Sequence, residues 1–188
     1  MRSYKIIVFL GVDGSGKSTL INELLKNYKN KFKKIHFAPD YFRNKNRQNT
    51  NPHKQLKRSK IFSFLKIIYW FINHGIFKIL NYKSKKIFIF DRYIGDLLID
   101  PKRYRFSLSD KFLEKIISYL IKPDLIVLLS GDPQKIYLRK KELKLKDLIL
   151  LNYKYEKFVK KFKNILILNS VKKIHHNRDI LLNHLNNF

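Results

Sequence analysis

The chain has no cysteine, so neither a disulfide nor a thiolate metal site is open to it. Its six histidines show no ligand spacing, and His175-His176 reads as a surface pair. Acidic residues are scarce: 14 Asp and Glu stand against 41 Lys and Arg, for a net charge of +27. None occurs between Asp40 and Asp91, which makes that stretch the most electropositive part of the chain. Such a charge attracts polyanions, so weak contact with nucleic acid or an anionic membrane is one expectation. The chain is also rich in Asn, Ile, Phe and Tyr, which fits AT-biased codons, and that bias raises Lys with no selected partner. The shortage of acids is the part that codon bias explains less well. No signal peptide is read, because the apolar start covers only Tyr4–Leu10 and runs into a glycine-rich loop. Ile61–Tyr82 has about the length of a membrane span, but Lys66, Asn73, His74, Gly75 and Lys78 interrupt it, and central charges are costly in lipid. The expectation is a helix buried between a sheet and its neighbours, with interfacial membrane contact as the alternative. No internal repeat and no linker is found, so residues 1–188 read as one domain.

What is present is more specific. Gly11-Val-Asp-Gly-Ser-Gly-Lys-Ser-Thr19 follows the apolar run directly, in the order Gly, four residues, Gly, Lys, Ser of a phosphate-binding loop. Glycines let the backbone wrap closely around a polyphosphate, so that successive N–H groups face its oxygens. Gly11, Asp13, Gly14, Ser15, Gly16, Lys17, Ser18 and Thr19 are therefore the candidate nucleotide-binding residues. Lys17 supplies a mobile cation for the terminal phosphates, Ser18 a hydroxyl for Mg²⁺, and the following helix points its positive end at the anion. ATP and Mg²⁺ are the cofactors this implies, and their location makes the cytoplasm the expected compartment.

Strand and helix signals alternate, which argues for a parallel sheet covered by helices. Strands are expected at Lys5–Leu10, Lys34–Ala38, Lys86–Phe90, Leu125–Leu129 and Ile165–Leu168. Helices are expected at Lys17–Tyr28, at Lys111–Ile121 behind a capping box at Ser107–Asp110, and from Asp132-Pro133 through Arg139. A mobile basic segment near 139–147, a helix to about Phe162 and a closing helix at Arg178–Leu185 complete the pattern, while Arg43–Lys60 reads as loop. A second chemical signal is Phe90-Asp91-Arg92-Tyr93 at the end of the third strand. A carboxylate there is placed to hold Mg²⁺ through water or to orient an acceptor, and the adjacent Arg92 to fork onto a phosphate. Arg103 and Arg105, two apart in a stretch read as extended, would point to one side and clamp an acceptor phosphate or anionic sugar.

On Gly11–Thr19, Asp91-Arg92-Tyr93 and Pro123–Leu129 running into a helix with Arg139, the chain resembles the thymidylate kinase group of nucleoside monophosphate kinases. The resemblance implies a P-loop NTPase fold, a three-layer α/β/α arrangement with a five-stranded parallel sheet and a basic lid. It implies ATP-dependent phosphoryl transfer to a nucleoside monophosphate, dTMP first. Lys17, Arg92 and Arg139 would be catalytic, Ser18 and Asp91 would serve the metal, and Asp13, Arg92, Arg103 and Arg105 would meet the acceptor. This P-loop has no Arg, so Arg139, with Lys140 and Lys141, is the lid candidate. Members of the group often form dimers, so a homodimer is a further expectation. Two departures concern the acceptor. The Arg-Glu-Pro-Gly-Gly-Thr segment of the group is replaced by His36–Phe42, where Pro39 alone matches. Ile94–Phe106 replaces the Ser and the Tyr-Gln pair, and is similar to divergent members associated with surface-glycan gene sets. A nucleoside or sugar acceptor, or a nucleotide-gated polyanion-binding protein with weak kinase activity, are the alternatives.

Overall fold

The computed structural model describes residues 4–35, 59–91, 93–119 and 122–186. Five parallel strands form one sheet: β1 (Lys5–Leu10), β2 (Phe32–Ile35), β3 (Ile87–Phe90), β4 (Leu125–Ser130) and β5 (Ile165–Asn169), in the order β2-β3-β1-β4-β5. Seven helices accompany them among the described residues: α1 (Lys17–Asn27), α2 (Lys60–Asn81), α3 (Asp96–Ile99), α4 (Asp110–Tyr119), α5 (Pro133–Arg139), α6 (Leu145–Val159) and α7 (Ile174–Asn186).

The layering follows from alternation along β1. Ile6, Val8 and Leu10 face a core closed by Ile67, Trp70 and Phe77 of α2 and by Leu148, Tyr155 and Phe158 of α6. Ile7 and Phe9 face the other side, against Leu20, Ile21 and Leu24 of α1 and Leu181 of α7. Buried on both faces, β1 and β4 are continuous apolar runs, as central parallel strands require. β1 lies between β3 and β4, with Val8 beside both Phe90 and Ile126. Successive connections diverge at its C-terminal end, where ligands of open parallel sheets bind.

β1 and α5 have the bounds expected from the sequence, and Asp132 caps α5 by accepting from the Gln134 amide at 2.9 Å. Other expectations are corrected. β2 begins at Phe32, two residues early, because Phe32 fills the core on the α1 side. Positions 36–58, with Pro39 and most of the expected loop, lie outside the described residues, as do Arg92 and positions 120–121. α4 starts at Asp110, so Ser107 is not its cap; the Ser107 amide donates instead to Ser63 Oγ on α2 at 3.1 Å. α7 begins four residues before Arg178. α2 is not buried all round. Ser63, Ile67, Trp70, His74 and Phe77 are buried, whereas Ile61 and Ile79 on the far side are 72% and 78% exposed. The sheet covers one side of α2, and no described element covers the other. No helix among the described residues is long and apolar enough to cross a membrane.

Candidate active site

The turn from β1 into α1 has the conformation its glycines permit. Gly11 has φ +135, and a Cβ there would lie 2.5 Å from the Leu129 carbonyl oxygen on β4. Gly16 occupies the left-handed region at the N-cap of α1 and contributes no capping side chain. The first turn of α1 also carries no acid. A helix start without a capping oxygen or a carboxylate suits an incoming anion. Lys17 is 5% exposed, and its Nζ donates to the carbonyls of Gly11 (2.7 Å) and Val12 (2.8 Å) and to Ser15 Oγ (3.4 Å). The ammonium is thus folded over the loop that would hold the phosphates. Ser18 and Thr19 are exposed at the start of α1.

Asp91 emerges from β3 on the neighbouring strand, and its carboxylate pairs with Lys34 Nζ on β2 at 2.7 Å. Lys34 gave no sign of this role in the sequence, where it reads as one lysine among many. The described residues contain no cluster of three or more His, Asp or Glu able to enclose a metal. Mg²⁺ is commonly held by one or two protein oxygens together with substrate phosphates. Ser18 Oγ and the Asp91 carboxylate are the groups that would serve it.

Arg103 and Arg105 do not lie on a strand. Asp100-Pro101 opens a turn in which the Arg105 amide donates to Lys102 O (3.0 Å) and the Phe106 amide to Pro101 O (3.0 Å). The Arg103 amide lies 3.3 Å from Asp100 Oδ1, and Arg105 has φ 53. The two side chains therefore do not share a side by strand alternation. Arg103 reaches across the sheet end and forms an ion pair with Asp13 of the P-loop through Nη1 and Oδ2. The Asp-Pro pair was the local signal for this turn. Lys66 of α2 donates to Tyr104 O at 3.3 Å, tying the turn to the helix behind it.

Immediately before this turn in the chain, α3 is a four-residue helix with no counterpart among the elements expected from the sequence. Asp96, 1% exposed, accepts from the Tyr93 amide (2.9 Å) and from Tyr155 of α6 (2.7 Å). Burial raises the Tyr93 phenol to about 12, so it stays neutral through the physiological range. On the other flank Arg139 Nη1 donates to Ser170 O after β5 at 2.6 Å, turned toward the β5–α7 connection. Lys140 comes nearer the P-loop, since a Cβ on Gly14 would lie 3.0 Å from Lys140 Cβ. Its ammonium pairs with Glu142 at 2.8 Å. Within the expected lid, Arg139 closes α5 and 145–147 open α6, leaving 140–144 as the non-helical part.

A Gly-Lys-Ser turn at the end of the central strand of a five-stranded parallel sheet, with an acid at the tip of the next strand, defines a P-loop nucleotide kinase. The chain belongs to the thymidylate kinase family, whose model matches residues 9–180. No curated protein matches it. Among solved structures, a thymidylate kinase from Candida albicans superposes with a TM-score of 0.71 at 18% identity, covering 99% of this chain and 92% of that one. Deoxyadenosine kinase from M. mycoides, with dCMP and dCDP bound, gives 0.63 at 18% identity, with coverage of 97% and 100%. Thymidylate kinase from Ehrlichia chaffeensis gives 0.60 at 17% identity, with coverage of 97% and 98%. The family implies ATP as the phosphate donor.

Proposed function

We propose that the protein transfers the γ-phosphoryl group of ATP to a nucleoside monophosphate, with dTMP the first candidate, that residues 1–188 form a single kinase domain, and that it works in the cytoplasm. The observation that carries this reading is the Lys17 ammonium lying over the P-loop carbonyls, one strand away from Asp91. The P-loop amides and the start of α1 bind the phosphates. Lys17 exchanges its contacts with Gly11 and Val12 for the terminal phosphate oxygens. Ser18 and Asp91 would hold Mg²⁺, which when bound would supply charge neutralisation at the transferred phosphoryl group. Arg92 orients the acceptor phosphate for in-line transfer, and Arg139 with Lys140 closes over the donor, excluding water. A phosphate acceptor is already ionised and needs no general base.

Arg103 favours a second reading on the acceptor side. Where the resemblance would leave Asp13 for the acceptor sugar, its carboxylate here is engaged by Arg103. That arrangement suits an acceptor bringing its own anion to the 100–105 turn, such as a sugar derivative. For a hydroxyl acceptor, Asp91 or Asp13 would take the proton. A coupled ADP-release screen over nucleoside monophosphates, nucleosides and phosphosugars tests both. Highest kcat/KM on dTMP supports the first reading, and highest kcat/KM on a phosphosugar replaces it with the second. ATP turnover that responds only to nucleic acid or anionic vesicles overturns both in favour of a polyanion-binding protein.

A further inference from the structure

The edge of the sheet where the strands begin differs in charge from the edge that carries the site. Residues 28–31 lead into β2, 82–86 into β3, 122–124 into β4 and 160–164 into β5, and each connection holds lysine, as does the first position of β1. Asp124 is the one acid among them, and it is turned inward, its Oδ2 accepting from the Ile6 amide at 2.7 Å. Where the strands end, acids recur: Asp13 in the glycine loop, Asp91 after β3, Asp100 at the opening of the turn and Asp132 after β4. Codon bias acts on the whole chain alike and does not sort acids to one edge of a sheet. Helix dipoles do not account for the lysines either, because a cation is stabilised at a helix C-terminus only within about the last turn. Lys85 and Lys86 lie well past Asn81, the last residue of α2, and Lys163 past Val159, the last of α6.

Backbone pairing lines these lysines up. The Ile87 amide donates to Lys31 O at 2.9 Å and the Lys5 amide to Lys86 O at 3.4 Å, so Lys31, Lys86 and Lys5 stand side by side on three neighbouring strands. Lys122 and Lys163 continue the row toward β4 and β5. With strands about 4.8 Å apart, the row is roughly 19 Å long and spans several phosphates of one nucleic-acid strand. Aromatic rings stand beside it. Tyr28, Tyr82 and Tyr119, at the ends of α1, α2 and α4, are 36%, 60% and 69% exposed. Tyr28 rests edge-on against Phe32, with ring centroids 6.4 Å apart, beside a groove of about 380 Å³ lined also by Lys26, Asn27, Lys29, Asn30 and Lys31. The described residues of the four connections include no Val, Leu, Ile or Met, and Phe162 packs against the core.

We propose that this edge binds single-stranded nucleic acid, the lysine row holding successive phosphates and the tyrosines stacking on unpaired bases. Every base has a π-face, so such a contact reads strandedness and charge more than sequence. A duplex keeps its bases inside and meets the lysines alone. A bilayer takes up aliphatic side chains, and these connections offer none. The edge lies at the far end of the strands from Lys17 and Asp91, so a bound strand leaves the phosphoryl-transfer site open.

The test is fluorescence anisotropy of the full chain with labelled oligo-U RNA, oligo-dT and a duplex, each of about 20 nucleotides, longer than the ~4–16 that common single-strand sites cover. Either single strand should bind more tightly than the duplex. With about four to five phosphates neutralised, single-strand affinity should fall with salt at a log–log slope of about −3, or roughly 60-fold between about 50 and 200 mM. Lys85→Glu with Lys86→Glu should weaken binding at least about tenfold and flatten the slope by about 1.4. Tyr82→Ala should weaken single-strand binding about 5- to 150-fold, and Tyr82→Phe should restore it, because stacking needs the ring and not the hydroxyl. Circular dichroism and ATP binding should be unchanged in each. Lys172→Glu with Lys173→Glu makes the same change of net charge at the opposite edge, after β5, and should leave binding nearly intact. The proposal is overturned by no binding at low salt, by a preference for the duplex, by equal losses from the two lysine pairs, or by a Tyr82→Ala protein that binds as the wild type does. Binding of phosphatidylserine vesicles in place of either strand, lost with Lys85→Glu and Lys86→Glu, overturns it in favour of a membrane surface.

Discussion

The proposed donor and acceptor sides of the site are assembled differently. The donor side is one continuous segment: β1, a glycine turn and the first turn of α1 hold Lys17 against the carbonyls of Gly11 and Val12. The proposed acceptor side would be gathered from distant places. Lys34 comes from β2, Asp91 from β3, Asp13 from the P-loop and Arg103 from a turn 90 residues further on. A locally encoded site tolerates divergence elsewhere in the chain. A site assembled by long-range ion pairs changes its specificity when any one contributor changes.

Separate failure of the two sides is the sharpest check on this contrast. Lys17→Ala should lower kcat by roughly 10² to 10³-fold or more, about 3–5 kcal/mol of transition-state stabilisation, for every acceptor tested. Near-normal turnover by a folded Lys17→Ala protein would remove the P-loop from the chemistry. Arg92→Ala should reduce kcat/KM for the acceptor by about 30- to 100-fold, or 2–3 kcal/mol for a lost charge-assisted contact, with KM for ATP little changed. Equal losses toward donor and acceptor would erase the distinction between the sides.

Stability against pH examines the buried core around Tyr93. The fold favours the neutral Tyr93 phenol, raised from 10.0 to about 12. Its contribution is therefore complete below pH 10 and is lost as pH rises from 10 toward 12, by about 2–3 kcal/mol. Tyr93→Phe should remove that part of the alkaline decline in a comparison of urea midpoints; an identical decline in both proteins would refute the assignment. The smallest effect is expected from Arg103→Ala, which should raise the acceptor KM by about 5- to 30-fold, or 1–2 kcal/mol, with ATP binding retained. If Arg103→Ala leaves acceptor preference untouched, its pair with Asp13 only braces the turn.

The amino-acid order alone determined β1, α5 and the glycine loop between β1 and α1. β1 and α5 are bounded as their residues dictate, because apolar runs, an Asp-Pro cap and a Gly-Lys-Ser turn act within a few residues of themselves. The side of α2 left open, the start of β2 and the partners of Asp91 and Asp13 were not readable, since each depends on which surface the packed sheet offers. Arg103 illustrates the limit: alternation places it beside Arg105, but the Asp100 turn redirects the backbone and the P-loop acid takes its charge. Short-range stereochemistry is written in neighbouring residues. Tertiary structure alone chooses among this chain's 41 basic side chains the few that meet an acid across the sheet, because Coulomb attraction selects by distance in space and not along the sequence.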